Sequence, residues 1–159
     1  MAPMRPIFGT FVAVLALSCA HVSKVSGLKE LKDSADTFHQ RIRWHDFRGA
    51  NELLVPALRP GFERGLRERH DERDLSITDY DLEDVRMAAD GVHGLVSSRV
   101  NWVRLPDTSE HTERVSTLFV FQSGVWFVEQ QAGGPFAKDL KGEATDGGLP
   151  ASDGIPAGG

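Results

Sequence analysis

Six histidines are the residues of this chain best suited to bind a metal ion or to transfer a proton. His39 and His45 stand six positions apart, so a helix would not place them one turn apart as zinc-binding helices do. His70 is followed directly by Asp71 and Glu72, whose side chains diverge from it on a helix or a strand. The spacing predicts no metal site, and no motif implies a cofactor.

Four acids, Asp79, Asp81, Glu83 and Asp84, resemble a calcium loop in composition. The segment lacks the glycine of the sharp turn and the bidentate acid that ends such loops. Strand alternation would put Asp79 and Asp81 on one face, together with Leu75 and Ile77. A solvated face or a charged sheet edge is therefore the favoured interpretation.

His45 with Asp46 or Asp79 is the best candidate for an acid–base pair, because His45 follows a helix face that could overlook a sheet. A single histidine near an apolar face more often packs in the core or lies on the surface. The sequence therefore predicts no catalytic residue, although an enzyme stays open as an alternative.

Large aromatic side chains could line an apolar pocket. The candidate lining residues are His45, Trp102, Phe119 and Trp126. A domain of this size also needs such residues for its core, and that is the favoured alternative.

Helical periodicity dominates the first half of the chain. Apolar residues at Leu28, Leu31, Ala35, Phe38 and Ile42 predict one face of an amphipathic helix. Further helical pieces are expected around residues 47–54 and 61–70, with Ala20 to Gly27 as a polar spacer before them.

Alternating patterns replace helical ones at about Asp74. They predict a long strand with a bulge near Glu83-Asp84, then strands over residues 92–105, 113–122 and 125–129. Asp90-Gly91 is a hairpin signal, and Ser123-Gly124 is a second turn. The expected fold class is α+β, with N-terminal helices packed on a curved four-stranded antiparallel meander.

Composition divides the chain into four expected segments. Residues 1–18 form a signal, 19–27 a spacer, 28–132 the α+β domain, and 133–159 a tail rich in Gly and Pro that is expected to be disordered. The net charge of −5 comes from interspersed acids and bases, which argues against a nucleic-acid partner.

Helices followed by a meander resemble the nuclear transport factor two-like superfamily. The residues that carry the resemblance are the face from Leu28 to Ile42, the Asp90-Gly91 hairpin and the closing strands over residues 119–126. It implies helices over the concave side of a bent sheet, with a conical pocket between them. A cystatin-like fold is the structural alternative. Members include enzymes, ligand binders and assembly modules, so the fold implies no reaction.

The start of the chain combines Arg5, an apolar run from Ile7 to Leu17, and Cys19, the sole cysteine. The run is shorter than the roughly 20 residues of a membrane-spanning helix and fits a signal peptide. It resembles the bacterial lipoprotein signal, or lipobox, which implies cleavage before Cys19 and attachment of acyl chains such as palmitate. An ordinary secretory cut after Ala20 is the alternative.

The resemblance places the chain in the bacterial cell envelope, on a membrane through its lipid anchor, or free and secreted if the alternative cut is used. The expected function is a non-catalytic module that binds a small apolar ligand or an envelope protein partner. The alternatives are a small pocket enzyme of the cyclase, dehydratase or isomerase type, and a homodimer built through the sheet.

Overall fold

The computed structural model describes the backbone of residues 19–142 and the side chains of residues 27–142. The predicted signal and residues 143–159 of the predicted tail lie outside the described residues. Within residues 19–142, four helices precede four strands: α1 (Cys19–Arg43), α2 (Phe47–Glu52), α3 (Arg59–Glu68), α4 (Asp71–Asp74), β1 (Leu75–Met87), β2 (His93–Arg104), β3 (His111–Gln122) and β4 (Val125–Ala132).

Helix α1 buries most of the face that its spacing predicted, because Leu31, Ala35, Phe38 and Ile42 all lie inside the core. Leu28, predicted on the same face, is exposed at the start of the domain. It begins at Cys19, so the residues expected to form a spacer continue the helix instead. It ends in a Schellman motif, because the Asp46 amide donates to the carbonyl oxygen of Arg41 at 2.8 Å. His45 occupies the left-handed position of that motif, with φ 59°.

The strands form one antiparallel sheet in the order β1-β2-β3-β4, which confirms the predicted meander. Register shifts in β1 fall between Ile77 and Asp79 and between Leu82 and Asp84. The second shift confirms the predicted bulge. The first was not predicted, and it turns Asp79 to the solvent side while Ile77 stays buried. The expectation that Asp79 shares a face with Ile77 is therefore wrong.

All four helices lie N-terminal to the sheet in the chain, and the apolar residues of α1, α2 and α3 share one core with its inward side chains. The far edge of β4 is covered. The Val55 amide donates to the carbonyl oxygen of Val128 at 2.9 Å, and the Gln131 amide donates to that of Leu140 at 2.8 Å. Covering an edge strand in this way prevents it from pairing with another chain.

Residues 133–142 pack against the domain, although composition assigned them to the tail. Phe136 and Leu140 are 3% and 0% exposed and belong to the core. Gly133 makes the turn that brings them there, with φ +80°, and a Cβ at this position would lie 2.4 Å from the carbonyl oxygen of Arg114. The packed domain therefore extends beyond residue 132.

The nuclear transport factor two-like fold is a wrong expectation, although the α+β class and the meander are confirmed. That resemblance implied a conical pocket between helices and sheet. Here buried side chains from both layers fill this space, with Phe38 and Phe62 from the helices and Val96, Val115 and Phe119 from the sheet.

The packing of residues 133–142 predicts a large effect of truncation. A chain that ends at Gly134 should lose at least about 3 kcal/mol of unfolding free energy relative to one that ends at Gly142, because it lacks Phe136 and Leu140. Paired thermal melts would measure the difference. Phe136→Ala in the longer chain should reproduce most of the loss, and equal melting of the two truncated chains would contradict the packing.

Candidate functional site

The three aromatic candidates for a pocket are core residues. Trp102, Phe119 and Trp126 are 8%, 1% and 3% exposed. The Trp102 ring stacks on the ring of His111, with centroids 4.2 Å apart, and Trp126 packs against Phe121 at 5.1 Å. The favoured interpretation of these aromatic residues as core agrees with their positions.

His45, the fourth pocket candidate, lies on the surface at the end of α1. Its Nδ1 atom is 3.2 Å from the carbonyl oxygen of Glu72. Its proposed acidic partners are engaged elsewhere, since Asp79 pairs with Arg43 at 3.3 Å and Asp46 accepts the Gly49 amide at 2.9 Å. The structure does not bring the acid–base pair together.

The acids of β1 pair with arginines rather than with one another. Both carboxylate oxygens of Glu83 accept from guanidinium groups, one from Arg99 and one from Arg114. Asp84 pairs with Arg86. Across the described part of the chain, no group of three or more His, Cys, Asp or Glu residues is arranged to hold a metal ion.

The sequence analysis does not identify the polar group in the core, which centres on His39. Its Nε2 atom lies 3.1 Å from the hydroxyl oxygen of Ser98, and its ring stacks on that of Tyr80 at 5.1 Å. The Tyr80 hydroxyl donates to Asp36 at 2.7 Å. One signal could have located His39, because it stands four residues after Ala35 and next to Phe38 on the buried face of α1.

Two more polar side chains, those of Gln131 and Thr117, are buried in the core. The Gln131 amide group donates to the Thr117 hydroxyl at 3.1 Å, and both residues are buried. Gln131 and His39 both border a cavity of about 10 Å³, which is lined by Phe38, His39, Ile42, Ile77, Val100, Val115, Gln131, Pro135 and Phe136. This volume holds about one water molecule.

A histidine within hydrogen-bond distance of a serine is the geometry of an activated nucleophile. Here, however, Ser98 is fully buried, and the adjoining cavity has no room for a substrate. In this conformation the pair can satisfy buried polar atoms, but it cannot reach a substrate. Its role in the structure is therefore to position α1 on β2.

An open groove of about 330 Å³ runs between α1 and β1, lined by Lys32, Asp36, Arg43, Tyr80, Asp81 and Leu82. None of the predicted pocket residues borders it. Its lining is mostly charged or polar, and several of its groups are already paired, Tyr80 with Asp36 and Arg43 with Asp79. It is a polar surface groove rather than a pocket for an apolar ligand.

Burial controls the protonation of the interior polar group. Desolvation lowers the pKa of His39 to about 4, against a smaller opposing effect of the Asp36 charge. Desolvation, followed by the hydrogen bond to Asp36, raises the pKa of Tyr80 to about 12. At neutral pH His39 is therefore a neutral imidazole and Tyr80 a neutral phenol.

A second polar cluster joins the helices, the sheet and the C-terminal segment. The Asp71 side chain is fully buried, and its carboxylate accepts from the Nε atoms of Arg69 at 2.9 Å and Arg104 at 2.8 Å. Arg69 also donates to Asp139 at 3.0 Å, and Arg104 to the carbonyl oxygen of Pro135 at 3.3 Å. All its charges are paired internally.

Among the described residues, the large apolar side chains that are exposed fall at two opposite ends of the domain. Trp44 is 77% exposed and Leu105 is 50% exposed. Both lie beside α4, because His45 contacts Glu72 and the Leu105 amide donates to the carbonyl oxygen of Asp74. Leu28, Val92 and Val125 lie at the other end of the sheet.

No protein-family model matches this chain, and no curated protein does. Among solved structures, it resembles the solution structure of a SEC-C motif containing protein from Rhodopseudomonas palustris. The two are 14% identical, the match covers 61% of this chain and 73% of that one, and the TM-score is 0.50. The likeness concerns the fold alone, and it is to a SEC-C motif protein rather than to a nuclear transport factor two-like one.

The lowered pKa of His39 predicts a pH-dependent stability. The unfolded chain, with an ordinary histidine pKa of about 6.5, binds more protons than the folded one between pH 4 and 6.5. The contribution of His39 is therefore complete above pH 6.5 and is lost as the pH falls to 4, by roughly 3 kcal/mol in total.

Urea unfolding of the native protein and of His39→Gln, at a series of pH values, would measure this loss. The glutamine can still bond Ser98 but does not titrate, so effects of the other histidines cancel in the comparison. As the pH falls, the native protein should lose unfolding free energy relative to His39→Gln. A difference that is constant from pH 7 to 4 would contradict a neutral buried His39.

Proposed function

We propose that this chain is an exported lipoprotein, held on a membrane of the bacterial cell envelope by acyl chains on Cys19, whose domain binds a protein partner without catalysis. The anchor rests on the signal-like segment before Cys19 and on the absence of any other cysteine in the sequence. Two or more acyl chains are enough for stable attachment. Among the described helices, none is long and apolar enough to cross a membrane.

The observation that carries partner binding is the exposure of Trp44. An indole that is 77% exposed is unusual in a domain that buries its other two tryptophans. Trp and Arg are enriched in the energetically dominant parts of protein interfaces, and Arg43 and Arg48, which lie within four residues of Trp44 in the chain, are exposed as well. A small apolar ligand is less well supported, because the interior cavity holds only about 10 Å³.

The anchor predicts that Cys19→Ser abolishes lipid attachment. Mass spectrometry of the mature native protein should show an N-terminal cysteine that carries lipid, and the protein should fractionate with membranes. The Cys19→Ser protein should be soluble or remain unprocessed. A native N-terminus at His21, free of lipid, would identify the secreted alternative and contradict the proposal.

The partner site predicts position-dependent crosslinking. A photoreactive amino acid in place of Trp44 or Arg48 should give one discrete protein adduct in intact cells. The same amino acid in place of Thr112, which is exposed on the outer face of β3, serves as the control. An adduct at the first two positions but not at the third supports the proposal. Equal yields, or an adduct with a second copy of this chain, would favour non-specific contact or the dimer.

A further inference from the structure

We infer that the end of the domain marked by Leu28, Val92 and Val125 rests on the lipid surface to which Cys19 is attached. This inference rests on the proposed lipid anchor and adds to it the orientation of the folded domain. The three residues are hereafter the anchor-side end, and Trp44 with Leu105 is the distal end.

The three residues of the anchor-side end lie together in space. A Cβ on Gly27, next to Leu28, would lie 3.3 Å from Sδ of Met87, so α1 enters the domain over the end of β1. Met87 pairs with Gly94 at the β1–β2 turn, which carries Val92.

The second hairpin reaches the same place. The carbonyl oxygen of Val92 accepts the Phe121 amide at 2.7 Å. Phe121 stands just before the β3–β4 turn, and the pair Gln122 and Val125 closes that turn. The three side chains, 39%, 41% and 45% exposed, thus come from three separate elements that meet at one end.

A continuous helix connects Cys19 to this end of the domain. Helix α1 runs unbroken from Cys19 to Arg43, so Cys19 precedes Leu28 by nine residues, or about 14 Å of helix. A domain joined to its anchor by a helix rather than by a coil cannot move freely away from the membrane. A lipid on Cys19 would therefore keep the anchor-side end within about 14 Å of the membrane surface, which a tilt of the helix brings into contact.

The charged residues at the anchor-side end indicate which lipid headgroups it can contact. Asp90, His93 and Glu129 lie at the anchor-side end, with Asp90 and His93 in contact and Nε2 of His93 3.7 Å from Glu129. Lys29, which follows Leu28 in the chain, pairs with Asp33. Such a surface is not suited to bind anionic headgroups, which attract clusters of Lys and Arg. The contact is therefore with the apolar and zwitterionic part of the membrane interface.

Fluorescence quenching on the purified, lipidated protein in vesicles tests this orientation. Cys19 is the only cysteine, and its sulfur is blocked once it carries lipid, so a single introduced cysteine is labelled uniquely. Val92→Cys probes the anchor-side end. Leu105→Cys, which is similarly exposed and also lies next to a strand end, is the matched control at the distal end.

In phosphatidylcholine vesicles, a fluorophore at position 92 should be several-fold less accessible to aqueous iodide than one at position 105. Nitroxide-labelled lipid should quench the fluorophore at position 92 but not the one at position 105. Adding phosphatidylglycerol should not strengthen the difference. In the Cys19→Ser background with the same vesicles, the two positions should be equally accessible.

Each other outcome has a distinct meaning. If both labels are equally accessible while the protein still sediments with vesicles, the anchor stands and the orientation is wrong. If lipid quenches position 105 instead, the domain lies inverted, which also overturns the inference. If the purified native protein carries no lipid, the proposed function fails and the inference fails with it.

Discussion

The buried carboxylate of Asp71 is the constraint on which the rest of the structure depends. A fully buried charge is tolerated only when it is paired and hydrogen-bonded. Arg69, between α3 and α4, and Arg104, at the end of β2, each provide an ion pair and a hydrogen bond to this carboxylate. The same two arginines bind Asp139 and Pro135 of the C-terminal segment. One anion thereby fixes the positions of the helices, the sheet and residues 133–142 relative to one another.

Closure of the core by this segment determines what the interior can do. Pro135 and Phe136 line the cavity beside His39, and their placement leaves it room for about one water. The contact between His39 and Ser98 is therefore sealed, and a polar pair that could support chemistry in an open cleft acts as a bond between α1 and β2. This cavity therefore offers no room for a ligand larger than about one water molecule.

The predictable parts of the fold were those set by local periodicity. The buried face of α1 and the bulge before Asp84 follow from the spacing of apolar residues, and the order of the strands follows from that spacing together with the turn signals between them. The Asp71 cluster and the packing of residues 133–142 depend on partners up to 70 residues apart in the chain, which periodicity cannot reveal. Glycines suggested a disordered segment there, whereas Gly133 forms a required turn.

The candidate site could not be predicted for the same reason, because residue type alone does not reveal tertiary contacts. His45 follows an apolar helix face, but it occupies the cap of that helix, where its side chain is exposed. The place of His39 on the buried face of α1, rather than its spacing from His45, indicates its burial. Since α1 is about 37 Å long, it separates Trp44 from Cys19 by most of the domain. A lipid at one end leaves the other end free to meet a partner in the surrounding space.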